Sequence, residues 1–306
     1  MQIQEQVLLK DYTTFKIGGP ADYFVLAQSL HDVEEAIAIA QEKNLPILAL
    51  GGGSNLLLTD AGFRGLVIKL DLQKFDIQGA EIVVGAGVLV AYLLNKSLEN
   101  GLTGLEFLAG IPGTVGGAIR GNAGTYGVAM SDVVTEITYL DQNYQLQTCQ
   151  QKACQFAYRH SIFKEMPAII IEARLKLQSG DVEAARKIVR ERLQYRQDTQ
   201  PNEPSAGCIF KNIEFKEVDI ADLKQRGLDI DQFVKYQKIP TAYLIEKAGL
   251  KGYTMGGVRV SEKHANYLIN VDQATAEQVI MLISFIKQQI RDKYGIQLHE
   301  EVQFIS

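Results

Sequence analysis

Gly101-Leu-Thr-Gly-Leu-Glu-Phe-Leu-Ala-Gly-Ile-Pro-Gly-Thr-Val-Gly-Gly-Ala-Ile-Arg-Gly-Asn-Ala-Gly-Thr-Tyr-Gly127 holds nine of the 27 glycines in this 306-residue chain. Glycine loses more backbone freedom on folding than any other residue, so this density has a local cause. Turns that need positive φ are one cause. The other is a backbone that must lie close against something flat or anionic. The intervening residues are mostly small, apolar or amide-bearing rather than charged. That composition suits a ligand cradled by main-chain N–H groups; a loop that only turns is the competing reading.

A second glycine segment, Leu50-Gly-Gly-Gly-Ser-Asn-Leu-Leu57, follows the short apolar run Ile47–Leu50, which reads as a buried strand. Two standard nucleotide motifs fail. Gly85-Ala-Gly87 begins like a dinucleotide fingerprint, but Val90 stands where the third glycine belongs, and no acidic residue follows at the required distance. Gly51-Gly-Gly-Ser54 lacks the Gly-Lys-Ser/Thr end of a phosphate-binding P-loop. Two separate glycine loops remain, able to grip from both sides a ligand with two phosphates and a ring system. FAD has that shape.

The rest of the chain narrows the class. A 46% hydrophobic composition over 306 residues supports two or three compact domains. Net charge is −5 and no basic run occurs, so no nucleic-acid partner is expected. The polar start Met1-Gln-Ile-Gln-Glu-Gln6 is no signal peptide, and no apolar run could span a bilayer. A cytoplasmic protein without membrane insertion is expected. Cys149, Cys154 and Cys208 make no disulfide framework, and Cys149 and Cys154 read as structural. His31, His160, His264 and His299 are scattered, so no metal site can be drawn.

Periodicity supplies the elements. Strands are expected at Tyr23–Ala27, Leu66–Leu70, Ile82–Val84, Glu136–Leu140, Ala168–Leu177, Cys208–Phe210, Tyr267–Asn270 and Gln297–Ile305. Ser29 and Asp32 resemble a capping box opening a helix with Val33, Ala36, Ile37 and Ala40 on one face. A second helix carries Val90, Leu93, Leu94 and Leu98 and stops at Gly101. A third follows Asp181, with Val182, Ala185, Val189 and Leu193 inward. Thr241–Lys247 reads as helix, and a long one carries Val279, Leu282, Ile283, Ile286 and Ile290 up to Gly295. The polar, two-proline stretch 197–204 reads as a linker. The order is α+β, divided into 1–68, 69–196 and 197–306. No residue pattern specifies an oligomeric state.

The glycine segments sit among further motifs: Thr13-Thr-Phe-Lys-Ile-Gly-Gly19, Tyr158-Arg-His-Ser161, Pro204-Ser-Ala-Gly-Cys-Ile-Phe-Lys-Asn212, Gly256-Gly-Val-Arg-Val-Ser-Glu-Lys-His-Ala265 and Glu301-Val302. Together, and in this order, they resemble the UDP-N-acetylenolpyruvoylglucosamine reductases over nearly the whole chain. The resemblance implies an FAD-binding fold of the vanillyl-alcohol-oxidase (PCMH) type in two subdomains, plus a C-terminal α+β substrate-binding domain. It implies NADPH as reductant and a UDP-sugar as substrate. Hydride then passes from reduced FAD to C3 of the enolpyruvyl group of UDP-N-acetylglucosamine enolpyruvate, and C2 is protonated to give UDP-N-acetylmuramate for peptidoglycan.

The same resemblance assigns residues. Gly51, Gly52, Gly53, Ser54, Asn55, Ile111, Pro112, Gly113, Thr114, Gly116, Gly117, Asn122, Ala123 and Gly124 would hold FAD, with Asn55 and Thr114 offering side-chain hydrogen bonds to the pyrophosphate. Tyr126, Lys211, Asn212 and His264 would contact the UDP-sugar. Arg159, whose guanidinium is always charged and binds carboxylates bidentately, would hold the developing negative charge. Glu301 matches the family's catalytic glutamate; the adjacent Glu300 must point the other way along a strand. Cys208 departs from the pattern, which has serine as the proton donor to C2. A thiol with an ordinary pKa of about 8.5 is mostly protonated at neutral pH and remains a competent acid. A nearby cation would lower that pKa and leave thiolate, which cannot donate. The short interval from Arg159 to Cys208 matches the family variant without an extra tyrosine-bearing loop. The competing readings are another FAD oxidase or dehydrogenase of this fold, and a catalytically silent flavin or UDP-sugar binding protein.

Overall fold

The two strongest helix signals in the sequence form as their pattern requires. Ser29 caps Leu30–Glu42: its hydroxyl accepts from the Asp32 N–H and the Asp32 carboxylate accepts from the Ser29 N–H. This satisfies donors that the first turn leaves open. Val33, Ala36, Ile37 and Ala40 are the buried face. Thr275 and Gln278 make the same box ahead of Ala276–Tyr294, and Gly295, at φ 70°, ends that helix in the left-handed region.

The computed structural model describes residues 1–306, and the chain divides into two compact units. The first comprises residues 1–7, 21–53 and 64–196; the second comprises 8–20, 54–63 and 197–306. Each unit has its own hydrophobic core.

The first unit contains a four-stranded sheet in the order Ile3–Leu8, Pro20–Ala27, Phe63–Leu70, Ile47–Leu50. Its last pair is parallel, with Leu50 opposite Lys69. A five-stranded antiparallel sheet runs in the order Leu146–Gln150, Val134–Leu140, Ile169–Lys176, Glu81–Gly85, Phe75–Gln78. Helix Val90–Glu99 buries Val90, Leu93, Leu94 and Leu98, and Gly101 follows it at φ 77°.

The second unit centres on an antiparallel sheet, Ser205–Cys208, Tyr267–Asn270, Val258–Val260, Thr254–Met255. Helix Ala276–Tyr294 packs its apolar face into that unit's core. The short segments from early in the chain have structural reasons to be there. Phe15, Ile17 and Leu57 are core members. Leu56–Leu58 pairs in parallel with Gln303–Ile305. The Asp60 carboxylate accepts from the Ala276 and Glu277 N–H groups at 2.9 and 3.2 Å, at the positive end of the helix dipole.

Four details differ from the sequence pattern. Helix Val182–Thr199 buries only Ala185, and Leu193 is exposed. Leu193 and Arg196 instead lie over Gly110, where a Cβ would stand 3.3 and 2.5 Å from their side chains. That helix also runs to Thr199, into the stretch that reads as linker. The strand expected at Cys208–Phe210 is Ser205–Cys208. The terminal strand is Gln303–Ile305, preceded by an isolated bridge between Glu300 and Phe210. The chain changes partner there: Lys211 N–H donates to the His299 carbonyl, whereas Gln303 N–H donates to the Asn55 carbonyl. One continuous ladder cannot serve both neighbours.

Candidate active site

In the first unit the two glycine segments meet. Past Leu50 the backbone turns through Gly51–Gly53, with Gly53 at φ 62°. A Cβ on Gly51 would stand 2.6 Å from Thr114 Oγ1, and one on Gly52 2.5 Å from Gly113 Cα. Any larger residue would push the segments apart. Lys69 Nζ donates to the Gly51 carbonyl at 2.5 Å. Burial pushes this ammonium's pKa down, against the pull of Asp71.

Adjacent glycines in helix Val115–Arg120 serve different ends. A Cβ on Gly116 would lie 2.8 Å from Ala86 Cβ, so this glycine lets the helix close on the chain beyond strand Glu81–Gly85. Gly117 is exposed, and its Cβ would meet only Thr114 Oγ1 at 3.7 Å. Thr114 itself is 3% exposed, and its hydroxyl has no hydrogen-bond partner. An unsatisfied buried hydroxyl costs about 1–3 kcal/mol. An orphaned hydroxyl beside an open, glycine-lined backbone fits a bound cofactor with acceptor oxygens.

The remaining residues of this segment hold the turn together. Ile111 N–H donates to the Leu108 carbonyl, and Ala123 N–H to that of Ala118. Pro112 is exposed. Asn122 is buried and spends its amide on protein: Nδ2 donates to the Ala157 carbonyl and Oδ1 accepts from Ser131 N–H, both at 3.0 Å. Gly124 leaves no room for a side chain, since a Cβ would lie 2.5 Å from the Val128 carbonyl. Tyr126, at φ 57°, is exposed under the Arg192 guanidinium, 4.4 Å from the ring centroid.

Arg159 sits in a tight turn closed by mutual backbone bonds between Ala157 and His160. Its φ is 55°, a left-handed conformation that costs a non-glycine residue energy and persists where surroundings enforce it. Three contacts enforce it here. Arg159 Nη1 donates to the Gly124 carbonyl at 2.9 Å, Lys164 Nζ donates to the Arg159 carbonyl at 2.9 Å, and the guanidinium lies 5.4 Å from the Tyr158 ring centroid. Arg159 is thus tied to the end of the glycine segment.

In the second unit, Cys208 and Glu301 are carried on neighbouring backbone. The Glu301 N–H donates to the carbonyl of Ile209, next to Cys208, at 2.7 Å. Cys208 ends a strand whose register against Tyr267–Asn270 is broken between Ser205 and Cys208. Gly207 lies in that break at φ 78°, and such a bulge re-aims the next side chain. Glu300 is occupied by Lys287, at 2.7 Å. Pairing of Glu300 with Phe210 keeps this stretch extended, so Glu301 faces the other way. Asn55 Nδ2 donates to the Glu301 carbonyl at 3.1 Å, which ties the Asn55 side chain to the Glu301 backbone. Ser54 is half-buried beside it.

Lys211 and Asn212 hold the start of helix Thr241–Lys247. The Thr241 hydroxyl donates to the Lys211 carbonyl at 2.5 Å, and Asn212 Oδ1 accepts from Thr241 N–H at 3.2 Å. His264 packs edge-on against Tyr267, and its buried Nδ1 has no partner. Burial, reinforced by Lys251, pushes its pKa below the ordinary value. Two contacts escaped the sequence reading, from Lys69 to the Gly51 carbonyl and from Asn55 to the Glu301 carbonyl. A lysine inside the apolar run Leu66–Leu70 is the one available signal for Lys69; nothing local marks the bond from Asn55 to Glu301.

Comparison with known proteins brings the two units under one description. The family "FAD binding domain" matches residues 21–150, and "UDP-N-acetylenolpyruvoylglucosamine reductase, C-terminal domain" matches residues 200–305. The UDP-N-acetylenolpyruvoylglucosamine reductase of Caldanaerobacter subterraneus subsp. tengcongensis is 37% identical over 303 residues, covering 97% of this chain and 91% of that protein. The enzyme of the same name from Bacillus subtilis is 37% identical over 303 residues, with coverages of 97% and 92%. The crystal structure of UDP-N-acetylenolpyruvylglucosamine reductase from Thermus caldophilus superposes with a TM-score of 0.81 at 30% identity, covering 100% of both chains. The α+β fold with an FAD-binding part, expected from the sequence, is the fold found.

Proposed function

The chain belongs to the UDP-N-acetylenolpyruvoylglucosamine reductase family, and from that membership we propose how its residues divide the reaction. It is an FAD-dependent oxidoreductase of peptidoglycan precursor synthesis, with NADPH as reductant. No helix is long and apolar enough to cross a membrane; we place the activity in the cytoplasm, where NADPH is supplied.

When bound, FAD would supply the two-electron hydride chemistry by which NADPH reduces C3 of the enolpyruvyl double bond. Gly51–Asn55, Ile111–Gly117 and Asn122–Gly124 would hold it, with the Thr114 hydroxyl as a donor to the cofactor. Negative charge then develops on C2 and the attached carboxylate. The Arg159 guanidinium stabilises it as a fixed cation that needs no reorganisation during the step. Glu301 orients the reacting group, and the Cys208 thiol gives C2 its proton. Tyr126, Lys211, Asn212 and His264 contact the UDP-sugar. Strand Ile169–Lys176 and helix Val182–Thr199 occupy most of the interval from Arg159 to Cys208, which accords with the family variant lacking the extra tyrosine loop.

The observation that carries this reading is the placement of Cys208 and Glu301 on neighbouring backbone, joined through the 2.7 Å bond from Glu301 N–H to the Ile209 carbonyl. Under nitrogen, the yellow protein should bleach on addition of NADPH. Its colour should return on addition of UDP-N-acetylglucosamine enolpyruvate and not with UDP-N-acetylglucosamine alone. A flavin that bleaches but is never reoxidised by that substrate overturns the assignment.

A further inference from the structure

Two cysteines take no part in the chemistry above. Cys149 lies on the edge strand Leu146–Gln150, opposite Ile137, and is half-buried. Cys154 ends the short turn Gln151–Cys154 and is fully buried. Their sulfurs are 3.6 Å apart, and the Cys154 sulfur also lies 3.6 Å from the Gln150 carbonyl. Immediately afterwards the backbone enters the left-handed region at Gln155, φ 48°, and the next residues form the turn that carries Arg159.

One thiol reachable at a sheet edge and a second sealed beneath it make the arrangement of an attacking and a resolving sulfur. The hydrogen bond from Cys154 lowers the Cys149 pKa, against burial and the Glu136 charge. The same bond, with burial, pushes Cys154 up. Shortening the 3.6 Å separation to a disulfide of about 2.05 Å needs sulfur movements totalling only about 1.6 Å. Rotation about the side-chain bonds supplies displacements of that size without unfolding the turn.

We propose that Cys149 and Cys154 form a dithiol site that hydroperoxides oxidise to a disulfide, fastening the root of the Arg159 turn to the sheet edge. The Cys149 thiolate attacks a peroxide oxygen and the O–O bond breaks. The departing oxygen leaves as an alcohol, or as water from hydrogen peroxide, and Cys149 becomes a sulfenic acid. The Cys154 sulfur then attacks the Cys149 sulfur. The S–O bond breaks, the oxygen leaves as water, and the S–S bond forms. Two thiols thus lose two electrons and two protons, and one peroxide gains them. The site stands on the geometry of the first unit and does not depend on the reductase reaction.

Trypsin reports the bond directly, because Lys152 separates the two cysteines and Arg159 follows the second. The flavin-loaded protein is treated with hydrogen peroxide, blocked with iodoacetamide and digested without reduction. The peptide ending at Lys152 and the one beginning at Ala153 should remain joined, separate after dithiothreitol, and include no Cys208 peptide. Three results overturn the proposal: separate peptides with Cys149 as sulfinic or sulfonic acid, both thiols alkylated where Cys208 is oxidised, or Cys149 joined to Cys208. In Cys154→Ser, Cys149 should stop at the sulfenic acid and be trapped by dimedone. If that variant fails to fold, the joined peptide in the native protein still decides.

Discussion

Replacing Gly117 by alanine should strengthen the flavin-free protein and weaken its hold on FAD. Gly117 lies in helix Val115–Arg120 with φ outside the left-handed region. Its new methyl would meet only Thr114 Oγ1, at 3.7 Å, an ordinary contact. Removing a glycine's backbone freedom from a compatible site stabilises by about 0.4–1 kcal/mol. That corresponds to an unfolding midpoint raised by roughly 1–4 °C. If the exposed face of Gly117 is where the cofactor backbone lies, the same methyl enters occupied space, at a cost of about 1–3 kcal/mol. The FAD dissociation constant should then rise roughly 5- to 150-fold. Gly116→Ala, one residue away, is the contrast. Its methyl would lie 2.8 Å from Ala86 Cβ and 3.2 Å from the Ala86 carbonyl, so the flavin-free protein itself should lose about 1–3 kcal/mol. Scanning calorimetry of the flavin-free forms and titration by flavin fluorescence separate the two effects. Gly117→Ala with unchanged FAD affinity would refute the assignment of that face to the cofactor, whatever the stability does.

Substitutions at three further positions test individual roles. Cys208→Ala should still let NADPH bleach the flavin but stall its reoxidation by the enolpyruvyl substrate, whereas Cys208→Ser should keep both half-reactions; equal reoxidation in the alanine variant removes the thiol from the mechanism. Lys69→Met deletes a charged donor to the Gly51 carbonyl, worth about 1.5–3 kcal/mol. FAD affinity measured by fluorescence should weaken roughly 10- to 150-fold, and an unaltered value shows that the Gly51 turn needs no such support. His264 has its pKa lowered by burial, so the folded state binds fewer protons than the unfolded one. Its contribution to stability is intact above an unfolded pKa of about 6.5 and is lost as pH falls from there through the lower folded value. Urea unfolding should therefore weaken more steeply below pH 6.5 in the native protein than in His264→Gln, and parallel curves count against the burial argument.

The elements that read correctly from sequence are those whose cause is local. Ser29 and Asp32 are three residues apart and bond to each other; Val279 through Ile290 share a helix face at the helical period. The glycine loops read as a cradle because glycine density has few physical explanations. That density does not show which glycine does what, since Gly116 answers to Ala86 and Gly52 to Gly113. The inward placement of Leu193 was misread because periodicity marks an apolar stripe without naming what covers it; here it covers Gly110. The terminal strand broke at Glu301 because the chain changes partners there. Cys149 and Cys154 read as structural by spacing rules, which carry no information on sulfur separation.

The interleaving of the second unit has a consequence for how the protein is made. Its core takes Phe15, Ile17 and Leu57 from the opening of the chain, and its last strand, Gln303–Ile305, closes on Leu56–Leu58. During synthesis these early pieces emerge with their apolar side chains long before the partner helix Ala276–Tyr294 exists. They must wait for residues 276–305 to leave the ribosome. Closing contacts of such sequence separation is slow, because the chain entropy is lost before the contacts repay it. The hazard of premature association therefore belongs to the nascent N-terminal segment. A fragment beginning at Gln197 would lack that segment's share of the core altogether, and nascent chains halted before the last strand should be the protease-sensitive ones.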